Sequence, residues 1–240
     1  MNRISILGVA FDNVTMNEAI ESALEWINQR KGCFVVTPNP EIVMLARENE
    51  DLKTTIENAA LVLPDGIGVI YGAKILGTPL TERVPGIDFA SGLMEKLAVQ
   101  HGSVYLLGAK PGVAEQAGAN LAEKYPGLII VGTHDGYFTD DIAIIEEINT
   151  LKPDLLLVCL GFPKQEFWMR DRGPVLDVGL MAGLGGSLDV FAGIVQRAPA
   201  VWQKLGLEWL YRLLKEPSRF RRMMKLPQFL FCVLKERGKK

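Results

Sequence analysis

The chain has 240 residues, 48% hydrophobic and 22% charged, with a formal net charge of −2. That suits one large globular domain, or one domain with an appendage. Its 3 cysteines, Cys33, Cys159 and Cys232, are odd in number and lack metal-ligand spacing, which argues against a disulfide framework and for a reducing cytoplasm. No run of ~20 apolar residues is present for a membrane-spanning helix, and the start, MNRISILGVAFDN, has too short an apolar stretch for a signal peptide.

The charge is unevenly spread. Residues 197–240 carry 12 Lys and Arg against 3 Asp and Glu, whereas residues 1–196 carry 14 against 25. An acidic body with a basic tail points to an anionic partner for the tail.

In chain order, residues 4–8 (ISILG) read as a short strand. Thr15 caps a helix over 16–30, with Ala19, Ile20, Ala23, Leu24 and Ile27 on one face and Gly32 as its stop. A second strand, CFVVT at 33–37, ends in Pro38-Asn39-Pro40 and is followed by helices over 41–49 and 51–59. Leu61, Val62 and Leu63 form a buried strand that stops at Pro64 and delivers Asp65 to its C-terminal edge, ahead of an apolar helix over 66–76. A polar loop, Thr81 to Gly86, carries Arg83 and leads into a helix over 87–100. Strands at 103–107, 128–132, 155–160 and 178–182 follow. They are separated by helices over 113–124 and 140–151 and one that starts at Lys164. The alternation indicates βαβ units, and the continuously apolar strands indicate a sheet covered on both faces. The expected fold is α/β: a Rossmann-like, mostly parallel sheet with helices on both faces. The expected division is a core over 1–196 and a helical basic appendage over 197–240. Within the appendage 200–215 is amphipathic, and Pro227 should kink or split the stretch 218–234.

Ligands of open α/β sheets bind at the C-terminal strand edge. Three strand ends converge there: one with Thr37 and Asn39, one with Asp65, and one with Gly161 to Glu166, including Gln165. Arg83 follows closely enough to reach the same edge. A carboxylate, two amides, a hydroxyl and a guanidinium suit a polyhydroxylated substrate. The carboxylate can act as a base on a sugar hydroxyl, and the arginine can offset a leaving diphosphate. Each residue also has a structural reading. Asp65 can N-cap the following helix, and Thr37 and Asn39 can be turn residues. The glycine-rich turns Gly108 to Gly112 and Gly183 to Ser187, including Gly185 and Gly186, can bind phosphate through backbone amides. Neither is a Walker A sequence or a complete G-x-G-x-x-G. Asp189 either hydrogen-bonds a ribose or caps a helix. Tyr137 either stacks on a base or packs under its loop.

No metal or other cofactor is expected. His101 and His134 have no partner at ligand spacing, and no Asp-x-Asp occurs, so leaving-group charge falls to arginine and backbone amides. The basic tail, with Phe220, Phe229 and Phe231 among its cations, has the character of a helix at an anionic membrane surface. Its alternative is packing on the body or on a second copy of the chain. No nucleic-acid motif is present. Arg212, Arg219, Arg221 and Arg222 can reach a phosphorylated substrate from the tail. These residues leave open a sugar-transferring enzyme, a nucleotide-binding adaptor that docks at a membrane, and a dinucleotide oxidoreductase. The incomplete glycine fingerprint argues against the last.

The segments TPNPEIVMLARE, PDGIGVI, ERVPGIDF, YLLGAKPGVAEQA, LGFPKQEFW and GLGGSLDVFAG, followed by RAPAVWQKLGLEWLYRLLKEPSRFRRM, resemble the WecG/TagA/CpsF glycosyltransferases (glycosyltransferase family 26). The resemblance runs in order over nearly the whole chain, and the tail is most similar to the TagA branch. It implies a metal-independent, inverting enzyme with a Rossmann-like core. In the TagA branch such an enzyme moves N-acetylmannosamine from UDP-ManNAc onto GlcNAc-diphospho-undecaprenol, in wall teichoic acid linkage-unit synthesis. Other branches use other sugars. By the same resemblance the base falls on Asp65 and the polar pocket residues on Thr37, Asn39, Arg83 and Gln165. The appendage arginines fall on Arg212, Arg219 and Arg222. The implied setting is the inner face of the bacterial cell membrane, with peripheral attachment.

Overall fold

The computed structural model describes residues 2–217 and 220–238, without the side chains of Lys204, Arg221 and Arg222. Arg219 lies outside the described residues, as does the side chain of Arg222.

The chain opens with β1 (Arg3–Ile6) and β2 (Val9–Asp12), then α1 (Met16–Asn28), β3 (Cys33–Val36), α2 (Pro40–Ala46), α3 (Glu50–Glu57), β4 (Leu61–Val62), α4 (Ile67–Ile75) and α5 (Gly86–Val99). It continues with β5 (Ser103–Gly108), α6 (Val113–Lys124), β6 (Ile129–His134), α7 (Ile142–Leu151), β7 (Leu155–Cys159), α8 (Lys164–Arg172), β8 (Leu180–Gly183) and α9 (Ser187–Phe191). The C-terminal segment forms α10 (Ala200–Lys204), α11 (Glu208–Lys215), α12 (Phe220–Met223) and α13 (Lys225–Arg237).

Six strands pair in parallel in the order β4-β3-β8-β7-β5-β6. Side chains alternate across the sheet, as the strand period of two requires. Val36, Val62, Tyr105, Leu107, Leu156, Val158 and Met181 face one core, with α2, α3, α4, α7 and α8. Val35, Leu61, Val104, Leu106, Leu155, Leu157, Leu180 and Ala182 face the other, with α1, α5, α6 and α9. Apolar residues on both faces are what a doubly covered parallel sheet needs, so the expected α/β architecture is present. The parallel pairing also puts the C-terminal ends of β3, β4 and β8 side by side.

The first strand differs from expectation. Residues 3–12 make an antiparallel ribbon, with Arg3 opposite Asp12 and Ile6 opposite Val9, apart from the main sheet. Its two-residue turn has positive φ at both Leu7 (52°) and Gly8 (88°), the geometry that matches a hairpin's twist. The ribbon blunts the sheet's edge. Asp12, almost fully buried, accepts the Val62 N–H at 2.8 Å and pairs with Arg3 at 3.1 Å.

The amphipathic stretch 200–215 is two helices rather than one. Gly206 (φ 71°) ends α10. The N–H of Leu207 donates to Trp202 O at 2.8 Å and that of Gly206 to Gln203 O at 3.0 Å. That is the Schellman closure. Pro227 does not kink a helix. The break falls before it, between α12 and α13, and Pro227 sits in the first turn of α13, where no N–H is needed. The last helix is part of the core. Phe229 and Val233 are fully buried in the same cluster as α2 and α4. A Cβ at Gly72 would lie 2.9 Å from Phe229 Cζ, so the bare glycine is what admits the ring.

Phe229→Ala is therefore expected to destabilise the protein by about 3–5 kcal/mol, read as a lowered urea midpoint with α13 becoming sensitive to protease. An unchanged midpoint would contradict the packing role.

Candidate active site

The ends of β3, β4 and β8, the loop before α5, and α11 to α13 enclose a cavity of about 220 Å³. Thr37, Asn39, Glu41, Asp65, Arg83, Gly186, Glu208 and Arg212 supply its polar lining, and Ile67, Trp209, Met223 and Leu226 an apolar wall. The C-terminal segment thus forms one side of the cavity directly.

Thr37 and Asn39 do structural work and also line the cavity. Thr37 Oγ1 donates to Gly183 O at 3.1 Å, joining β3 to β8 beyond their ladder. Asn39 caps α2, its Oδ1 accepting the Ile42 N–H at 3.1 Å. The turn reading and the pocket reading therefore hold together for both.

Asp65 does not cap its own helix. Gly66 occupies the cap position of α4, without a side-chain cap bond. The carboxylate lines the cavity instead. Burial raises its pKa above the usual carboxylate range. Arg83 and Arg212 pull it down, Glu208 pushes it up, and the Gly86 N–H in the first turn of α5 pulls it down; the net direction is up. Arg83 does not form its hydrogen bonds with that carboxylate. Its Nε donates to the Asp65 backbone carbonyl at 2.6 Å and its Nη2 to Glu208 Oε2 at 3.1 Å.

Glu208 is the opposite kind of acid. Only 8% exposed, it meets Arg83 at 3.1 Å, Arg212 at 3.0 Å and Arg197 at 3.5 Å. Burial alone would raise its pKa, but Arg212, Arg83 and Arg197 together bring it below the usual value. Arg197 in turn grips both oxygens of Asp88 on α5, one of them at 2.7 Å. Two carboxylates on one cavity thus have their pKa values driven apart, a pattern that separates a proton acceptor from a fixed charge.

Gln165 does not line the cavity. It is 2% exposed and stands behind the glycine turn, its Oε1 accepting the Gly185 N–H at 2.9 Å while its Nε2 donates to Glu166 Oε1 at 2.8 Å. Glu166 is 1% exposed, its Oε2 has no partner among the described residues, and burial pushes its pKa up to about 7. Both lie in the first turn of α8, which follows the cis Phe162-Pro163 bond.

Of the other expected binding residues, Gly186 and Arg212 line the cavity. Gly108, Tyr137, Gly185 and Asp189 do not. Gly108 and Tyr137 belong to a neighbouring stretch of the same sheet edge. There Ala109 N–H donates to Cys159 O at 3.2 Å, Gly136 N–H to Ala109 O at 2.9 Å, and Lys164 Nζ to Gly136 O at 3.0 Å. Tyr137 is 69% exposed beside this cluster, so it does not pack under its loop. Asp189 lies on α9, and a Cβ at Gly186 would be 3.6 Å from its Oδ2. Residue spacing did not single out Glu208, Glu41, the Asp88–Arg197 pair or the apolar wall. Glu208 carried one visible signal, as one of 3 acids in a segment of 12 cations.

Residues 4–240 match the family described as "Glycosyl transferase WecG/TagA/CpsF family". A protein of Bacillus spizizenii (strain W23), named N-acetylglucosaminyldiphosphoundecaprenol N-acetyl-beta-D-mannosaminyltransferase, is 38% identical over 210 residues, covering 88% of this chain and 82% of its own. Proteins of the same name from Staphylococcus aureus strains MW2 and NCTC 8325 are 36% identical over 239 residues, covering 99% of this chain and 94% of theirs.

The raised Glu166 pKa has a consequence for stability. A carboxyl that binds its proton more tightly when folded contributes stability below its unfolded pKa, and that contribution is lost as pH rises toward about 7. Glu166→Gln should therefore gain stability relative to the parent between pH 5 and pH 8, by on the order of 3 kcal/mol. Urea unfolding at the two pH values measures it, and parallel pH profiles would contradict it.

Proposed function

We propose that this chain, which belongs to the WecG/TagA/CpsF family of glycosyltransferases, transfers N-acetylmannosamine from UDP-ManNAc to the GlcNAc of GlcNAc-diphospho-undecaprenol. The donor and acceptor rest on the names of the Bacillus and Staphylococcus relatives. The observation that carries the mechanism is Asp65. It is a carboxylate in a cavity at the C-terminal sheet edge, with its pKa raised by burial, and Arg83 and Arg212 line the same cavity.

Asp65 accepts the proton of the acceptor hydroxyl, the C4 hydroxyl of GlcNAc, as the new C–O bond forms. That oxygen attacks the anomeric carbon of the sugar as the bond from that carbon to the diphosphate oxygen breaks, so UDP leaves with the bonding electron pair. One displacement inverts the centre and gives a β linkage from an α-linked donor, in keeping with the β anomer in the relatives' name. Arg83 and Arg212 offset the charge that develops on the departing diphosphate. Arg219 and Arg222 join them in this reading through the family resemblance alone. Thr37 and Asn39 shape the sugar subsite, and Gln165 acts behind it by holding Gly185. The nucleotide extends past Gly186 along the sheet edge toward Gly108, Tyr137 and Asp189. With no Asp-x-Asp in the sequence, the diphosphate charge falls to arginines, and transfer proceeds without a metal.

In the same reading, residues 1–196 form the catalytic core and residues 197–240 an appendage that completes the site and meets the membrane. The appendage exposes Val201, Leu205, Leu214, Phe220, Phe231 and Leu234, and the same stretch of sequence carries Lys215, Lys235 and Arg237. Apolar and cationic groups together suit an anionic bilayer surface. No described helix is long and apolar enough to cross a membrane. Attachment from the cytoplasmic side then brings the cavity to a lipid-linked acceptor.

Asp65→Asn is expected to lower turnover by about 10²- to 10⁴-fold while UDP-ManNAc binding survives, as measured by UDP release with a short-chain GlcNAc-diphospho-lipid and by calorimetry. Turnover like the parent's would remove Asp65 as the base. In the parent, transfer should persist in excess chelator, and strict dependence on added Mn²⁺ would contradict the metal-free reading. Among UDP-sugars, UDP-ManNAc should be the preferred donor, and preference for another would keep the mechanism but change the product.

A further inference from the structure

Glu208 sits where the C-terminal segment meets the cavity. It is the first residue of α11, two residues after the Gly206 turn, and a Cβ on that glycine would fall 2.8 Å from Ile67 Cγ1 at the start of α4. The close approach seats Glu208 against the core. Its two oxygens are divided between two arginines from different parts of the chain. Oε2 accepts from Arg83, in the loop before α5, and Oε1 from Arg212, one turn further along α11. Arg197, from the segment before α10, approaches Oε1 at 3.5 Å and is itself held by Asp88. Across the cavity lies Asp65, and Glu41 of α2 lines the same space.

Two guanidinium groups beside a half-buried carboxylate would ordinarily pair with it and hold it ionised. A carboxylate held so is a weak base. At Asp65 that pairing is absent. Arg83 is turned so that its Nε meets the Asp65 backbone carbonyl, and the group it gives to a carboxylate goes to Glu208. Arg212 likewise gives its side-chain bond to Glu208. We propose that Glu208 is a positioning residue that keeps the guanidinium groups of Arg83 and Arg212 engaged away from the Asp65 carboxylate, leaving it free to take the acceptor proton. The inference rests on the reading of Asp65 as the base. It places control of that base in one residue of the C-terminal segment: without the Glu208 carboxylate, Arg83 loses its partner and Asp65 is the neighbouring acid on which it can settle. The direction of the Glu208 effect on Asp65, upward in pKa, agrees with this arrangement.

A residue that only tethers the segment, or that acts on Asp65 only as a nearby negative charge, makes a different forecast: Arg212→Gln then raises the Asp65 midpoint equally with and without Glu208. The test uses the full chain carrying ¹³C-carboxyl aspartate, with the Asp65 resonance identified by its disappearance in Asp65→Asn. In Glu208→Gln the Asp65 midpoint should fall by about 1 pH unit. The acid limb of kcat/KM should move down with it, and the plateau kcat should drop roughly three- to tenfold. Adding Arg212→Gln to Glu208→Gln should raise the midpoint by more than Arg212→Gln raises it in the parent, and equal rises in the two backgrounds overturn the proposal. Glu208→Asp, whose shorter side chain reaches one arginine less well, should fall between, and it serves if the glutamine variant does not fold. An Asp65 midpoint that is unchanged or raised in these Glu208 variants overturns the proposal. The base reading fails separately, if Asp65→Asn retains turnover, and that result leaves the titration comparison standing.

Discussion

Arg83 joins the Asp65 backbone carbonyl to the Glu208 carboxylate, through two nitrogens of one guanidinium. That bridge ties the loop before α5 to the strand end that carries Asp65, and ties both to the C-terminal segment. It works beside the Arg197–Asp88 pair and the close approach of Gly206 to Ile67, which also hold this side of the cavity. It also decides the electrostatics. Glu208, surrounded by Arg83, Arg197 and Arg212, is the fixed charge of the site, and Asp65 is the acid whose proton affinity rises. A site with both roles can move a proton and still keep its cations in place for an anionic leaving group.

The sheet is what makes this small arrangement possible. Parallel strands put the C-terminal ends of β3, β4 and β8 side by side at one edge, so Thr37, Asp65 and Gly183 to Gly186 arrive together although they are far apart in sequence. Thr37 Oγ1 on Gly183 O locks two of those ends to each other. Behind them the buried Glu166–Gln165 pair holds Gly185. The Gly185 N–H can only donate, so it holds Gln165 Oε1 and turns the Gln165 NH₂ toward Glu166 Oε1. The glycine turn is therefore positioned from inside the protein, and the cavity side of the turn stays open to a ligand. The C-terminal segment is joined to this body at two places of different character. Phe229 and Val233 bury apolar surface in the core, while Glu208 and Arg197 make ion pairs to Arg83 and Asp88.

Much of this was legible in the residues. Continuous apolar runs such as LLLVC and SVYLLG read as strands covered on both faces, and Thr15 marks a helix start through its cap; the caps at Asn39 and Asn49 emerged only in the structure. The polar set at the sheet edge followed from where those strands end. What was not legible depends on long-range geometry or on single backbone torsions. The Leu7-Gly8 turn splits one apolar run into a hairpin, and Gly206 splits one amphipathic run into two helices. Gln165 read as a pocket residue because it lies next to a strand end, yet helix phase turns it toward Gly185 and away from the cavity. Glu208 was hidden among cations, since its role exists only once Arg83, more than a hundred residues earlier, is brought beside it. The family resemblance pointed to the reaction and agreed with the reading of Asp65 as the base. It did not supply how the arginines are shared.

Catalysis in this site turns on the proton affinity of the Asp65 carboxyl group. The most direct measurement is to follow the Asp65 carboxyl by ¹³C NMR across pH in the full chain and overlay its titration on the acid limb of kcat/KM for UDP-ManNAc and a short-chain GlcNAc-diphospho-lipid. With Asp65 as the base, the two midpoints coincide, above the usual aspartate value. An Asp65 that titrates at or below that value, or an acid limb at a different pH, would contradict it.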